Sequence, residues 1–410
     1  MYLNRVNTRN FMIHKDSSIE LLPLTVLVGQ NSGGKSSFFD ALINFSMLSR
    51  GNLRQAFGPY PYSYAATVYA GASPTERISF DVTMSKTKDS GDSLKYEISY
   101  KQTSFGVDPR YTIFNERLTL AGSGKVLFDR DSPAAYPLAN NLQLEDDRSV
   151  FASLRAYISQ GGVPDADELV LYCARNLSRF SKYRLEPYAL SSPSRLPEAG
   201  IDGNESYAPR LGYRGEDLAG VLYYLNETDS PELKVIKEQV REIVPEFKDF
   251  EFNVVGTDRI AFSVSYDDER GVVPAVRLSS GLLSFIGLMV VIFGPGQNPL
   301  LMIEEPENGL TPSAVRAFYV AITNYIANSK PEGCSQIIIS SHSPFVICEA
   351  WNGEDRDFIH RVEVKDGSTV IRKFSDVVAA HGIQLRKDGE KGRVRLGLQN
   401  AEDIMSGFYD

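Results

Sequence analysis

Cysteine and histidine are scarce in this chain, with three of the first and four of the second among 410 residues. Cys173, Cys334 and Cys348 form no C-x-x-C pair and no zinc-ligand spacing. That excludes a disulfide scaffold and a zinc centre, leaving small buried side chains in a reducing compartment. Long apolar runs are missing too. The longest, Leu282 to Phe293, is closed by Gly294-Pro295-Gly296, well short of the roughly 20 residues a membrane helix needs. No basic stretch leads into an apolar run and a small-residue cleavage site, so the expectation is a soluble, cytoplasmic chain with no membrane partner. Positive charge is in deficit, 43 Lys and Arg against 52 Asp and Glu, so any contact with duplex DNA must be local. Internal repeats and heptad runs are absent, which excludes a long coiled-coil arm.

What the chain does have is Gly29-Gln30-Asn31-Ser32-Gly33-Gly34-Lys35-Ser36, which fits the phosphate-binding spacing G-x-x-x-x-G-K-[ST] at every required position. Leu24 to Val28 before it reads as a buried strand, and Phe38, Leu42 and Phe45 after it recur at helical spacing. A strand feeding a glycine-rich turn into a helix points backbone N–H groups and the positive helix end at the same phosphates. The spacing therefore predicts ATP held by Gly29, Asn31, Ser32, Gly33, Gly34, Lys35, Ser36 and Ser37. Lys35 would reach the β- and γ-phosphates and the Ser36 hydroxyl would ligate Mg²⁺.

Four regions follow along the chain. Residues 1–140 form a nucleotide-binding lobe, in which Ile78, Phe80, Val82 and Met84, then Tyr96, Ile98 and Tyr100, alternate with polar residues as an antiparallel β meander. Residues 141–270 read as a mainly helical insert with returning strands at Phe250 to Val254 and Ile260 to Tyr266, and with a Ser-, Pro- and Gly-rich loop near 190 to 205. Residues 271–350 return to the core, and 351–410 close it with strands and helices.

Three further elements lie in that returning core. Leu278-Ser279-Ser280-Gly281 precedes an apolar helix and reads either as a serine N-cap or as a second anion site. Leu300-Leu301-Met302-Ile303-Glu304-Glu305-Pro306 is an apolar strand ending in two adjacent acids. Adjacent side chains diverge at a strand end, so Glu304 can hold Mg²⁺ while Glu305 faces the attacking water; otherwise they are solvated acids at a strand exit. Ile337-Ile338-Ile339-Ser340-Ser341-His342 is another apolar strand, and it delivers His342 to the end of the sheet where α/β folds bind ligands.

In this order the four motifs resemble ABC-type ATPases of the soluble RecF, SMC and OLD-like branch. The resemblance implies an α/β P-loop head with a β meander and an inserted helical lobe. Residues 278–281 would be the signature that completes the site of an opposing subunit, in a homodimer or higher oligomer. Glu304 would be the metal-binding acid, Glu305 the general base and His342 the switch histidine, with Lys35 catalytic as well as nucleotide-binding. Gly212-Tyr213-Arg214-Gly215-Glu216-Asp217-Leu218-Ala219 is similar to a stretch in stand-alone members. Ser280 and Leu282 depart from transporter signatures, and Thr311 stands where many relatives have histidine. The glutamine loop stays open between Gln102 and Gln143. Members of this branch work in DNA maintenance or anti-phage defence, often beside a nuclease or toxin. Asp355-Arg356-Asp357 follows a Gly-Glu turn and reads as a solvated loop, so a nuclease would be another chain.

Overall fold

The computed structural model describes residues 1–57, 63–73, 76–104, 109–197, 209–296, 298–328, 336–351, 358–380, 386–387 and 394–406. The aliphatic runs meet in one six-stranded sheet in the order Ser368–Lys373, Ile359–Lys365, Leu24–Val28, Gln336–Ser341, Leu300–Glu304, Phe180–Tyr183. All neighbours pair in parallel except the first two strands in that order. Leu24–Val28, Leu300–Glu304 and Gln336–Ser341 are buried at every residue, as a sheet covered on both faces requires.

Alternation along these strands serves two cores. Val26, Val28, Leu301, Ile303, Ile337 and Ile339 face helices Leu218–Glu227, Pro231–Ile243, Ser280–Phe293 and Pro312–Asn328. Leu27, Leu300, Met302 and Ile338 face the other way, onto helix Lys35–Met47. Phe38, Phe39 and Phe45 of that helix are fully buried, each contributing roughly 2–3 kcal/mol of transfer free energy.

The meander forms a second, wholly antiparallel sheet of six strands: His14–Glu20, Tyr2–Phe11, Ile78–Ser85, Ser93–Ser104, Arg110–Leu120 and Val126–Asp129. Its inward aromatics Phe80 and Tyr96 pack on Phe45, which fixes the meander to the P-loop helix. Tyr2–Phe11 and His14–Glu20 form one long N-terminal hairpin of this sheet. A third, small sheet holds Phe247–Val255, Arg259–Tyr266, Val272–Pro274 and Ser194–Arg195.

One finding departs from the mainly helical reading of the insert at residues 141–270: Phe180–Tyr183 is the edge strand of the central sheet, beside the strand that carries the acids. Four residues are too short for a periodic signal, and their conformation is set by pairing with Leu300–Ile303. Asp355-Arg356-Asp357, Cys334 and residues 198–205 of the loop near 200 lie outside the described residues.

Candidate nucleotide site

Glycine is required in the P-loop because the hairpin Ile359–Lys373 stands directly against it. A Cβ at Gly29 would lie 2.0 Å from the Val362 carbonyl oxygen, and one at Gly34, where φ is +108°, would lie 2.3 Å from Thr369 Oγ1. The loop is also held from behind by polar bonds. Thr369 Oγ1 donates to Gly33 O at 3.1 Å, and Ser17 Oγ lies 3.0 Å from Thr369 O, its one proton serving either that carbonyl or His14 Nδ1. His14, fully buried, places Nε2 3.1 Å from Gly34 O and Nδ1 2.9 Å from Ser17 Oγ. A carbonyl only accepts, so Nε2 carries a proton. Burial pushes the imidazole down to about 4, which leaves it neutral near pH 7.

Lys35 Nζ donates to Gly29 O at 2.7 Å and to Gln30 O at 2.8 Å. Burial lowers its pKa, opposed by the charges of Glu305, Glu307 and Glu304. The P-loop cation and the acids therefore share one electrostatic site. Ser36 is exposed and Ser37 half-buried in the first turn of the helix, while Asn31 and Ser32 are exposed on the loop. Outside the loop is a cleft of about 280 Å³ between residues 29–33, residues 361–364 and Met405.

Glu304 ends its strand buried. Its Oε2 accepts from Tyr213 Oη at 2.9 Å, and its Oε1 lies 3.4 Å from Lys182 Nζ without a hydrogen bond among the described residues. Lys182 also donates to Asp40 Oδ1 at 2.8 Å. Burial, then the neighbouring Glu304 carboxylate, pushes the Tyr213 phenol upward, so it is a donor. Glu305 adopts the left-handed region, with φ of +47°, which turns its carboxylate away from that of Glu304. Its Oε2 accepts from Arg184 Nη2 and Asn308 Nδ2, both at 3.1 Å, and its Oε1 is 3.3 Å from His342 Nδ1.

Glu307 backs this arrangement. Its Oε1 accepts from Ser341 Oγ at 2.6 Å and from the His342 amide at 3.4 Å, and burial raises its pKa. In the stretch 278–281, Ser279 caps the helix by accepting from the Leu282 amide at 3.3 Å, with Ser279 and Ser280 exposed and Leu278 half-buried. A Cβ on Gly281 would lie 2.6 Å from Gly309 O, so the loop after the acids seats directly on this helix start. Thr311 caps the next helix, accepting from the Ala314 amide at 3.3 Å.

The structure thus brings Lys35, Glu304, Glu305 and His342 together, and puts residues 278–281 against the loop that follows the acids. Sequence reasoning did not find Lys182, Arg184 and Glu307, and gave Tyr213 no role. Gln102 lies in the meander, donating to Ser104 O at 2.9 Å, and Gln143 is exposed in an irregular segment. Instead the strand beside the acid strand delivers Lys182 and Arg184.

For a hard divalent cation the fit is sound: an exposed hydroxyl at Ser36 and a carboxylate oxygen at Glu304 that lacks a hydrogen bond are oxygen donors of the kind Mg²⁺ takes, completed by substrate phosphates.

The family described as "AAA domain, putative AbiEii toxin, Type IV TA system" matches residues 24–348, from the P-loop strand to the helix after His342. The chain belongs to this family. No curated protein matches it. Among solved structures, an SMC head bound to the C-terminal winged-helix domain of ScpA is similar at 12% identity and a TM-score of 0.51, covering 92% of this chain and 100% of that one. An SMC head with an extended coiled coil, bound to the C-terminal domain of ScpA derived from Pyrococcus furiosus, is similar at 12% identity and a TM-score of 0.50, covering 92% and 98%. At such identity the likeness shows the fold. Family and fold together give this chain an AAA-family domain with the fold of an SMC head. Among its described residues no helix is long and apolar enough to cross a membrane.

Proposed function

We propose that two copies of the chain close around two ATP molecules, hydrolyse them, and use the cycle to act on duplex DNA or on an effector protein such as a nuclease or toxin. The observation that supports this most is the meeting of Lys35 with Glu304, Glu305 and His342 at the ends of adjacent parallel strands. In this reading the Lys35 ammonium leaves the carbonyls of Gly29 and Gln30 for the β- and γ-phosphates. Backbone N–H groups of residues 29–34 and the hydroxyls of Ser36 and Ser37 complete the phosphate cradle. Ser36 and Glu304 would hold Mg²⁺, which would supply positive charge against the phosphate oxygens. Glu305 takes a proton from the attacking water, and His342 senses the γ-phosphate.

Leu278, Ser279, Ser280 and Gly281 of one copy present the exposed hydroxyls and helix start to the nucleotide of the other. ATP can favour the closed pair only through contacts it makes better there, and this trans contact supplies them. Hydrolysis then opens the pair. A cytoplasmic role in DNA repair or antiviral defence fits the branch that the motifs resemble.

A second reading has a specific observation behind it. The Glu305 carboxylate is fully engaged by Arg184, Asn308 and His342, which favours slow turnover and an ATP-locked scaffold that holds its effector. Steady-state ATP hydrolysis with and without linear duplex DNA, using Glu305→Gln as blank, separates the two. Stimulation by DNA supports the acting ATPase; a slow rate indifferent to DNA supports the scaffold.

A further inference from the structure

The stretch Gly212 to Ala219 is built to a fixed shape. Arg184 N donates to Tyr213 O and Glu186 N to Arg214 O, both at 2.8 Å, so the stretch pairs with the chain that leaves the edge strand. Gly212 N donates to Glu216 O at 2.9 Å, and the Glu216 carboxylate accepts from the Arg214 amide at 2.8 Å. Gly215 has φ of +99°, and a Cβ there would lie 2.5 Å from Leu190 Cδ2. What this turn presents is the Tyr213 hydroxyl, seated on Glu304 Oε2. The other oxygen of Glu304 has no hydrogen bond among the described residues and faces the Lys182 ammonium, which is shared with Asp40 of the P-loop helix.

We propose that Tyr213 and Lys182 are positioning residues that tune the Mg²⁺ affinity of Glu304 in opposite directions. Tyr213 fixes the carboxylate by Oε2, so Oε1 is the oxygen that would face the cation. Lys182, 3.4 Å from Oε1 and bonded to Asp40, would compete with the cation for that oxygen. Its ammonium also lies 5.6 Å from the Tyr213 ring, so the two groups form one unit. A hydrogen bond from outside the coordination sphere that orients a ligand typically contributes about 10–100-fold to metal affinity. This inference rests on the proposed reading of Glu304 as the metal-binding acid.

The test is binding of a fluorescent ATP analogue by the full chain, titrated with Mg²⁺ and repeated in EDTA. Tyr213→Phe keeps the ring and removes the bond. It should raise the half-saturating Mg²⁺ about 10-fold while leaving affinity in EDTA unchanged. Lys182→Met should lower the half-saturating Mg²⁺, because the competing ammonium is gone. A Tyr213→Phe titration that overlays the wild type, or an equal loss of affinity in EDTA, overturns the proposal, as does a higher Mg²⁺ requirement for Lys182→Met. Should Lys182→Met not fold by circular dichroism, the Tyr213→Phe titration decides alone. If the wild type binds the analogue with no regard to Mg²⁺, the metal-binding role of Glu304 itself fails, a result distinct from either variant's behaviour.

Discussion

Lys35 Nζ lies 2.7 Å from the carbonyl oxygen of Gly29, so the ammonium that the P-loop offers to phosphates is bonded to its own loop. It has been taken out of water at a cost that lowers its pKa, against the pull of three nearby carboxylates. A triphosphate supplies the charge that neutral carbonyls cannot. Lys35→Ala should therefore abolish ATP binding by isothermal calorimetry. Wild-type affinity in that variant contradicts the assignment of the loop.

The wall behind the loop makes a second expectation. At Gly29 an added methyl would meet a backbone oxygen at 2.0 Å, and backbone cannot swing aside as a side chain does. Gly29→Ala should lose on the order of 3 kcal/mol of stability, the upper end for a single overpacked site, together with nucleotide binding. Denaturant melts give the first quantity and calorimetry the second. A folded variant that binds ATP normally contradicts the close approach of the Ile359–Lys373 hairpin.

His14 supplies a pH dependence whose sign is fixed. Its folded pKa of about 4 lies below the ordinary 6.5, because burial disfavours the imidazolium. Below pH 6.5 the unfolded chain binds the proton that the folded chain refuses. Stability from this group is complete above pH 6.5 and declines as pH falls toward 4, by roughly 2 kcal/mol between pH 7.5 and 5. Urea melts should show that decline in the wild type and a smaller one in His14→Gln, which keeps an N–H for Gly34 O but does not titrate. Equal declines contradict the buried, neutral assignment.

Much of the centre was legible because its signals are local. The P-loop spacing, the strand before it and the apolar strands ending at Glu304 and Ser341 each declare themselves within about ten residues. The alternation of Ile78 to Met84 and of Tyr96 to Tyr100 gave the meander in the same way. Lys182, Arg184 and Tyr213 were not legible as site residues, since their role depends on a four-residue edge strand pairing with Leu300–Ile303, more than a hundred positions later. Glu307 was hidden differently. It follows Pro306 in a polar stretch that reads as exposed, and only the packing of Ser341 and His342 over it buries the carboxylate.

The cap at Ser279 distinguishes binding from pairing. Its side chain is exposed, and its hydroxyl accepts from the amide of Leu282 at the start of helix Ser280–Phe293. Ser279→Arg should keep ATP binding within one subunit, by calorimetry, yet place a bulky cation where the opposing nucleotide would dock. ATP turnover should fall to the level of Glu305→Gln. Unimpaired turnover contradicts a trans role for residues 278–281.

The account turns on whether ATP closes two chains around the assembled site. Sedimentation of Glu305→Gln with and without ATP and Mg²⁺ tests this most directly, because the variant keeps the cradle and loses the proton acceptor that ends the closed state. The account predicts a single-chain mass without nucleotide and twice that mass with saturating ATP, reversed by ADP. A single-chain mass at saturating ATP, in a variant that calorimetry shows to be loaded, would contradict it.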